Sequence, residues 1–378
     1  MESSASQLGF FRKNRVKLAV SAIITACLLY ALWKEDMSLV PRREAFSTVK
    51  WWAVPFYPVT LVVLHYFRAV RWRFLLRSFA DLPRRRILAV SWIGFAAILI
   101  LPLRIGEFVR PYMIRDKGKL SMSAATGTIV AERIVDGLFV SGVLAAALLW
   151  VPTLHPLPEK VVGLPSVSVS TVRASGFIVL YVFLIAFATI AVYYFARSWA
   201  RRATLFVFGL VSKKLAEKLA DTASKLADGL GFLGRPRDAL PFLFETCMYW
   251  GLNAFGMWIL AWACGVEHAD GTPIHFAEAC ALMGMLGATI LIPGPPGLLG
   301  LFHVGIYCGM TFYFSPKVIE GPGSVYVFLL YVIQLVWTLA CAGYFLRDPK
   351  AREELREAEH DVEVAAADPE AAKTAEAP

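Results

Sequence analysis

The sequence predicts an all-α polytopic membrane protein, with about six transmembrane helices and two opposed re-entrant helical hairpins that form an inverted repeat. Apolar residues make up 57% of the 378 residues and charged residues 18%, whereas a soluble domain of this length carries more charge. Apolar runs recur along the chain at about the length that a membrane span needs. They cover residues 18–33, 51–67, 87–103, 127–151, 176–195, 240–264, 276–292, 298–314 and 324–346. Lys and Arg are concentrated in alternate loops, as expected of cytoplasmic loops.

The first element, residues 1–50, combines a basic start, an apolar run over residues 18–33 and an outer loop. A signal peptide has a similar pattern, but no small-residue cleavage site follows the run before Lys34. We therefore expect a cytoplasmic amino-terminal segment and an uncleaved first transmembrane helix.

The second element, residues 51–196, is predicted to be the first repeat. Basic residues flank the apolar run 87–103 on both sides, which conflicts with a full crossing. A re-entrant hairpin over residues 87–114, entering from the cytoplasm and turning at Pro102, removes the conflict. Irregular backbone at membrane depth is tolerated only where protein or water covers it. The alternative is that every run crosses fully, which gives nine spans.

Residues 197–238 form the third element, a basic amphipathic cytoplasmic helix. Its helical stretch is predicted over residues 206–233, lying along the membrane surface against anionic head groups. A solvated linker helix between two halves of the protein is the alternative.

The fourth element, residues 239–346, is predicted to be the second repeat. The prolines and glycines of residues 292–297 interrupt two apolar runs, and we interpret residues 276–314 as a re-entrant hairpin from the outer side. This leaves six crossings and two cytoplasmic termini. Two repeats of opposite orientation, each with a broken helix, are typical of secondary transporters, although proline-rich loops can match by coincidence. Residues 347–378 are predicted to be a disordered cytoplasmic tail.

Charged residues near the first break are the main candidates for a functional site. A helix stacks Arg104, Glu107 and Arg110 on one flank because they are spaced three residues apart. Each charge costs roughly 2.5–3.5 kcal/mol at the bilayer centre, so each must be paired with an opposite charge inside the protein or exposed to water in a cavity. Ionisable groups of this kind are functional candidates. Glu132, Arg133 and Asp136 follow in the next span, where Arg133 neutralises one acid and Arg104 or Arg110 is expected to pair with the other. Either a structural ion network or a path for an anionic head group explains them.

The glycine-rich segment at residues 293–300 is a second candidate, through Gly294, Gly297 and Gly300. Glycine permits close backbone approach, and free amides at the following helix start would attract an anion. A tight turn between two spans is the alternative. His303 follows one turn later, either as a proton relay or, more commonly for a lone buried histidine, as a packing residue.

Other function classes lack a signal in this sequence. The six cysteines lie in apolar runs without paired spacing, so we expect neither disulfides nor a metal site. No nucleotide, protease or serine-hydrolase motif is present, so no cofactor and no catalytic residue is predicted. The net charge of +9 is explained by cytoplasmic loops, and no basic face on a soluble module indicates nucleic-acid binding.

Three segments resemble the lysylphosphatidylglycerol synthase transmembrane-region family of flippase-like membrane proteins. They are Leu-Pro-Leu-Arg-Ile-Gly-Glu-Phe-Val-Arg at 101–110, Ala-Glu-Arg-Ile-Val-Asp-Gly-Leu at 131–138 and the Pro-Gly-x-x-Gly-x-x-Gly loop at 293–300. The resemblance implies a bacterial or archaeal cytoplasmic-membrane protein that moves lipids or lipid-linked sugars between leaflets. It would carry over the polar cluster of Arg104, Glu107, Arg110, Glu132, Arg133 and Asp136. Members of the family often carry an acidic residue shortly after the glycine loop, where this chain has Phe302 and His303. One explanation for this difference is that the chain binds a lipid with a different head group.

The sequence therefore favours a lipid flippase over two rivals. Arg104 and Arg110 would bind the phosphate of a head group, and Glu107, Glu132 and Asp136 would hold those arginines in place or exchange protons. Membrane lipids would be the partners, with a homodimer left open. The first rival is an integral-membrane lipid transferase with Glu107 or Asp136 as general base. The second is a membrane scaffold for a separately encoded lipid-modifying enzyme.

Overall fold

The structure, a computed structural model, describes six stretches of the chain and four isolated residues before them. These are residues 39–101, 106–115, 120–210, 212–229, 231–292 and 295–357, with Ile23, Ala26, Tyr30 and Lys34; at 123, 225 and 233 only the backbone is considered. The predicted first transmembrane helix therefore lies mostly outside the described residues, although its four described positions are helical.

The first half of the described chain is built from helices of unequal length. A short 3-10 helix at Arg43–Thr48 precedes five helices: α1 (Phe56–Val70), α2 (Trp72–Leu76), α3 (Arg84–Ile100), α4 (Val109–Ile114) and α5 (Met122–Trp150). Only a single turn residue, Arg71, separates α1 from α2. The helical segment therefore continues past residue 67, where the apolar run ends.

A small antiparallel sheet and three helices follow. Strands β1 (Lys160–Val161) and β2 (Leu164–Ser168) precede α6 (Val169–Phe195), α7 (Arg197–Gly209) and α8 (Lys213–Gly229). The single helix predicted over residues 206–233 is instead two packed helices. Their surface ion pairs are Arg197–Asp228 and Arg201–Asp221. Helix α8 also packs on α5, where Gly229 allows close contact with the backbone of Gly127.

In the second half, two long helices flank two shorter ones. Its helices are α9 (Pro236–Cys264), α10 (Phe276–Thr289), α11 (Leu301–Met310) and α12 (Ser324–Phe345), with a 3-10 turn at Pro296–Leu298 before α11. The turn Pro316–Val318 and the π-helical turn Ile319–Gly323 extend α12 backwards.

Helix length and composition establish the fold class as a mostly helical membrane protein. Among the described residues, three helices are long and apolar enough to cross a membrane, namely Ala124–Trp150, Val169–Phe195 and Pro316–Phe345. Helices α3, α10 and α11 are shorter. At 1.5 Å per residue they span roughly 26, 21 and 15 Å, less than the hydrocarbon core of about 30 Å.

Close helix contacts join the two halves. Helix α9 packs along α1, where a Cβ on Gly256 would lie 2.4 Å from Oγ1 of Thr60. Helix α10 packs on α5, where Gly284 lies against Leu144. Small residues let helix backbones approach closely, which is how helices associate in lipid. Glycines at these positions therefore set the spacing between α9 and α1 and between α10 and α5.

The start of the predicted disordered tail has structure. Residues 349–357 are helical, Ala351 is buried, and ion pairs join Arg85 to Asp348 and Arg86 to Glu354. Burial raises the pKa of the Glu354 carboxyl, and Arg86 opposes this shift. The described part of the tail thus differs from the prediction because ion pairs and apolar contacts order it, and residues 358–378 lie outside the described residues.

A buried arginine and carboxylate cluster as the candidate functional site

The candidate site is a polar layer between two hydrophobic clusters. Along α1 and α2, Leu61 and Leu64 belong to one cluster and Trp72 and Phe74 to the other. Helices α5 and α9 likewise contribute residues to one cluster at one end and to the other cluster at the other end. Arg71 lies between the two clusters, and the charged residues gather around it.

Arg71 is the centre of the layer. It is fully buried and makes two bonds to Asp136, from Nη1 at 2.7 Å and from Nη2 at 2.6 Å. It also donates to Glu132 at 3.1 Å and to Thr246 at 3.1 Å. A guanidinium suits this role because its planar fork matches a carboxylate in two places at once. Trp250 adds a third donor to Asp136, from its indole nitrogen at 3.1 Å.

Arg110 brings α4 to the same carboxylates. Its Nη2 donates to Glu132 at 3.2 Å, and its guanidinium lies 4.1 Å from the ring centre of Trp72. The side chain passes over Gly94 of α3, where a Cβ would lie 2.2 Å from Cγ of Arg110. Glycine at position 94 therefore makes room for the arginine.

Positive charge exceeds negative charge in this layer. Arg68, Arg71, Arg110 and Arg133 surround the two buried carboxylates of Glu132 and Asp136. Glu107 is near enough to act electrostatically on Arg133. Even with that third carboxylate, these described side chains carry one more positive charge than negative charges.

The uncompensated charge is most evident at Arg68. No carboxylate of the described residues lies within ion-pair distance of it, and its Nε is buried without a hydrogen-bond partner there. Its guanidinium rests on the ring of Phe95 at 4.0 Å, with Tyr249 at 5.5 Å. Arg68 and Arg133 are only partly buried, with 26% of the Arg133 side chain exposed. These two arginines can accept an anion at the edge of the layer.

The structure brings together most of the predicted polar cluster. Glu132, Arg133, Asp136 and Arg110 meet as described, and the predicted bond between Arg110 and an acid of the next span is present. Arg110 is only 1% exposed, so contact with a head group would require α4 to move. Arg104 lies outside the described residues.

The glycine loop and His303 lie in a different environment. Gly297 and Gly300 have φ values of 71° and 84°, which favour glycine, and helix α11 begins at Leu301 rather than at residue 298. His303 is 2% exposed, its Nδ1 has no partner among the described residues, and its ring centre is 5.0 Å from that of Tyr331. The turn Pro296–Leu298 packs against α3. Gly294 lies outside the described residues.

Sequence reasoning missed the residues that complete the cluster. Hydropathy places Arg68 and Arg71 in a basic cytoplasmic loop, residues 68–86, because an apolar window ends at the first arginine. Their spacing of three residues, directly after a helical run, was the available signal. Thr246, Tyr249 and Trp250 of α9 had no such signal, since an apolar helix with scattered aromatics looks like ordinary packing.

A mostly helical protein with three helices long and apolar enough to cross a membrane, and with a buried layer of arginines and carboxylates, belongs to the class of integral membrane proteins. Residues 16–343 match the lysylphosphatidylglycerol synthase transmembrane region, so the chain belongs to that family. It is therefore a membrane-embedded protein of a family related to lipid synthesis or flipping. No curated protein and no solved structure matches the chain.

Proposed function

We propose that this protein is a flippase that moves a lipid with an anionic or sugar-linked head group between the leaflets of the cytoplasmic membrane. The observation that carries the proposal is the presence of two further arginines, Arg68 and Arg133, at the partly exposed edge of a buried layer, with Arg68 unpaired among the described residues. The buried charges of Arg71, Arg110, Glu132 and Asp136 already balance one another. A purely structural network would therefore not need an unpaired arginine at its edge, where little water screens its charge. A lipid phosphate supplies the missing negative charge.

The proposed path uses the charged residues in two ways. Arg68 and Arg133, at the edge of the layer, bind the phosphate through charge-assisted hydrogen bonds. Arg71, Arg110, Glu132 and Asp136 hold the layer in place, and the negative charge of Glu107 acts on Arg133. The acyl chains stay in lipid while the head group crosses. In this proposal Gly297, Gly300 and the loop before α11 line the outer end of the path, and His303 relays a proton.

The proposed topology has six crossings, cytoplasmic termini and two re-entrant hairpins, over residues 87–114 and 276–314. The short helices α3, α10 and α11, and the contact between Pro296–Leu298 and α3, support it. Rocking of one repeat against the other would then expose the layer to each side in turn.

Replacing Arg68 by alanine is expected to slow lipid transfer roughly 10- to 100-fold. A hydrogen bond to a charged group contributes about 1.5–3 kcal/mol, and each 1.4 kcal/mol is a factor of ten. The measurement is the flip rate of fluorescent phosphatidylglycerol in proteoliposomes, with phosphatidylcholine as the uncharged comparison. Arg68→Lys should retain part of the rate because it keeps the charge and loses the fork geometry.

The matched control is Arg201→Ala, which removes an exposed arginine and a surface ion pair. Such pairs contribute about 1 kcal/mol or less, so its transfer rate should equal that of the wild type. Equal rates for Arg68→Ala and the wild type would remove Arg68 from the path. Formation of a new lipid product during the assay would instead favour the transferase.

Single cysteines in a cysteine-free background test the proposed topology. Asp81→Cys and Ser121→Cys, before α3 and after α4, are expected to react with an impermeant thiol reagent only from the cytoplasm. Asp270→Cys and Lys317→Cys, on either side of the second hairpin, are expected to react only from outside. All four residues are exposed. Labelling of residues 81 and 121 from opposite sides would mean that α3 crosses fully and would overturn the hairpin.

A further inference from the structure

A second cluster of chemistry-bearing residues lies at the far end of α9. His268, His275 and Glu278 place one ligand atom each within 4.8 Å of the others. About 18 residues of α9 separate this end from Thr246, which corresponds to roughly 27 Å along the helix. The cluster is therefore separate from the arginine layer and is not part of the proposed transfer path.

The loop between α9 and α10 holds His268 in a fixed position. A bridge pairs Glu267 with Pro273, and the backbone N–H of His268 donates to Thr272 at 2.7 Å. Gly271 supplies the left-handed turn, with φ of 83°. The His268 ring stacks on Phe314 at 4.9 Å. A ligand on such a rigid turn loses little freedom when it binds a metal ion.

The other two residues come from the first turn of α10. His275 is the N-cap and Glu278 is the third helical residue, so the side chains share one face. The Glu278 carboxylate is 5% exposed and accepts the backbone N–H of His275 at 2.8 Å. That bond orients Oε2, which also lies at hydrogen-bond distance, 3.1 Å, from Nε2 of His268.

Two of the three spacings between ligand atoms are close to those around a small divalent ion, and all three lie within 4.8 Å. Nε2 of His268 is 3.1 Å from Oε2 of Glu278, and Nδ1 of His275 is 3.5 Å from the same oxygen. Ligands of a tetrahedral zinc ion at about 2.0–2.1 Å are roughly 3.3–3.5 Å from one another. Two imidazoles and one carboxylate are a donor set that zinc prefers, with a fourth position left for water.

We propose that His268, His275 and Glu278 form a binding site for a divalent transition metal, with Zn²⁺ as the best-suited ion. The metal joins the end of α9 to the start of α10 and so holds α10 against α9. No metal site was predicted from the sequence, because cysteine spacing was considered and the histidines of this loop were not.

The test is Zn²⁺ binding to the full-length protein, purified without a polyhistidine tag and treated with a chelator. Isothermal titration calorimetry is expected to show one Zn²⁺ per chain for the wild type. His268→Ala should weaken binding at least about 100-fold, since loss of even an outer-shell partner costs 10- to 100-fold. The melting temperature of the wild type should rise with Zn²⁺.

The matched control is His155→Ala, which removes an exposed histidine from another loop and should bind Zn²⁺ as the wild type does. His275→Gln, at a ring that is 66% exposed, is the second test variant should His268→Ala not fold. If the wild type binds no Zn²⁺, the proposed site is wrong, and His275 and Glu278 form a helix cap only. Equal binding by folded His268→Ala or His275→Gln would overturn it too. Neither result bears on lipid transfer.

Discussion

Replacing Glu132 by glutamine is expected to destabilise the protein by about 3–5 kcal/mol and to abolish lipid transfer. Glu132 is fully buried and lies 3.1, 3.2 and 3.0 Å from Arg71, Arg110 and Arg133. Removing one partner of a buried ion pair leaves the other charge uncompensated, and this is the source of the large cost. Glutamine keeps the shape, removes the charge and replaces one acceptor oxygen by an NH2 donor, which would face an arginine.

The free energy of unfolding in mixed detergent micelles measures this effect, and proteoliposomes measure transfer. Asp221→Asn is the matched control, because it removes the acid of an exposed pair and should cost at most about 1 kcal/mol. Combining Glu132→Gln with Arg110→Met should cost less than the sum of the single changes, since the two residues interact directly. Wild-type stability of Glu132→Gln would contradict the ion network around Arg71.

Replacing Gly106 by alanine is expected to push α4 away from α3. The free energy of unfolding should fall by about 1–3 kcal/mol or more. A Cβ at position 106 would lie 2.2 Å from the carbonyl carbon of Ala97 and 2.3 Å from its oxygen. These are backbone atoms, so no side-chain rotation relieves the overlap. Displacement of α4 also moves Arg110 away from Glu132, so the rate of lipid transfer should fall together with the stability.

Gly142→Ala in α5 is the control for this change, because no atom lies within 4 Å of the position that a Cβ would take there. Alanine in a helix interior gains about 0.5–1 kcal/mol over glycine, so this variant should be slightly more stable than the wild type. The same unfolding and transfer assays apply to both. A Gly106→Ala protein as stable as Gly142→Ala would show that residue 106 does not pack closely against Ala97 of α3.

Hydrophobic patterning carried the prediction of the fold a long way. It found α5, α6 and α12 as apolar helices and recognised that α3 and α10 end at proline-containing breaks. It ended the helix of α1 too early, since hydropathy falls at Arg68 although the helical segment continues to Leu76. It also merged α7 and α8, because an amphipathic pattern does not reveal a turn that tertiary packing stabilises.

The candidate site was predicted in part for the same reason. Glu132, Arg133 and Asp136 are neighbours on one helix, so their spacing alone placed them together. Their main partner, Arg71, is 65 residues from Asp136, and Thr246 and Trp250 come from a helix still further along the chain. No local pattern encodes those distances.

Composition, charge distribution and helical periodicity were sufficient to predict a helical membrane protein with charged residues in an apolar helix, because these properties depend on near neighbours in the chain. Tertiary structure decided which arginine neutralises which carboxylate and which one is left unpaired among the described residues. That choice depends on how α1, α4, α5 and α9 pack, since an ion pair in a low-dielectric interior forms only where the backbone brings the two groups within a few ångströms.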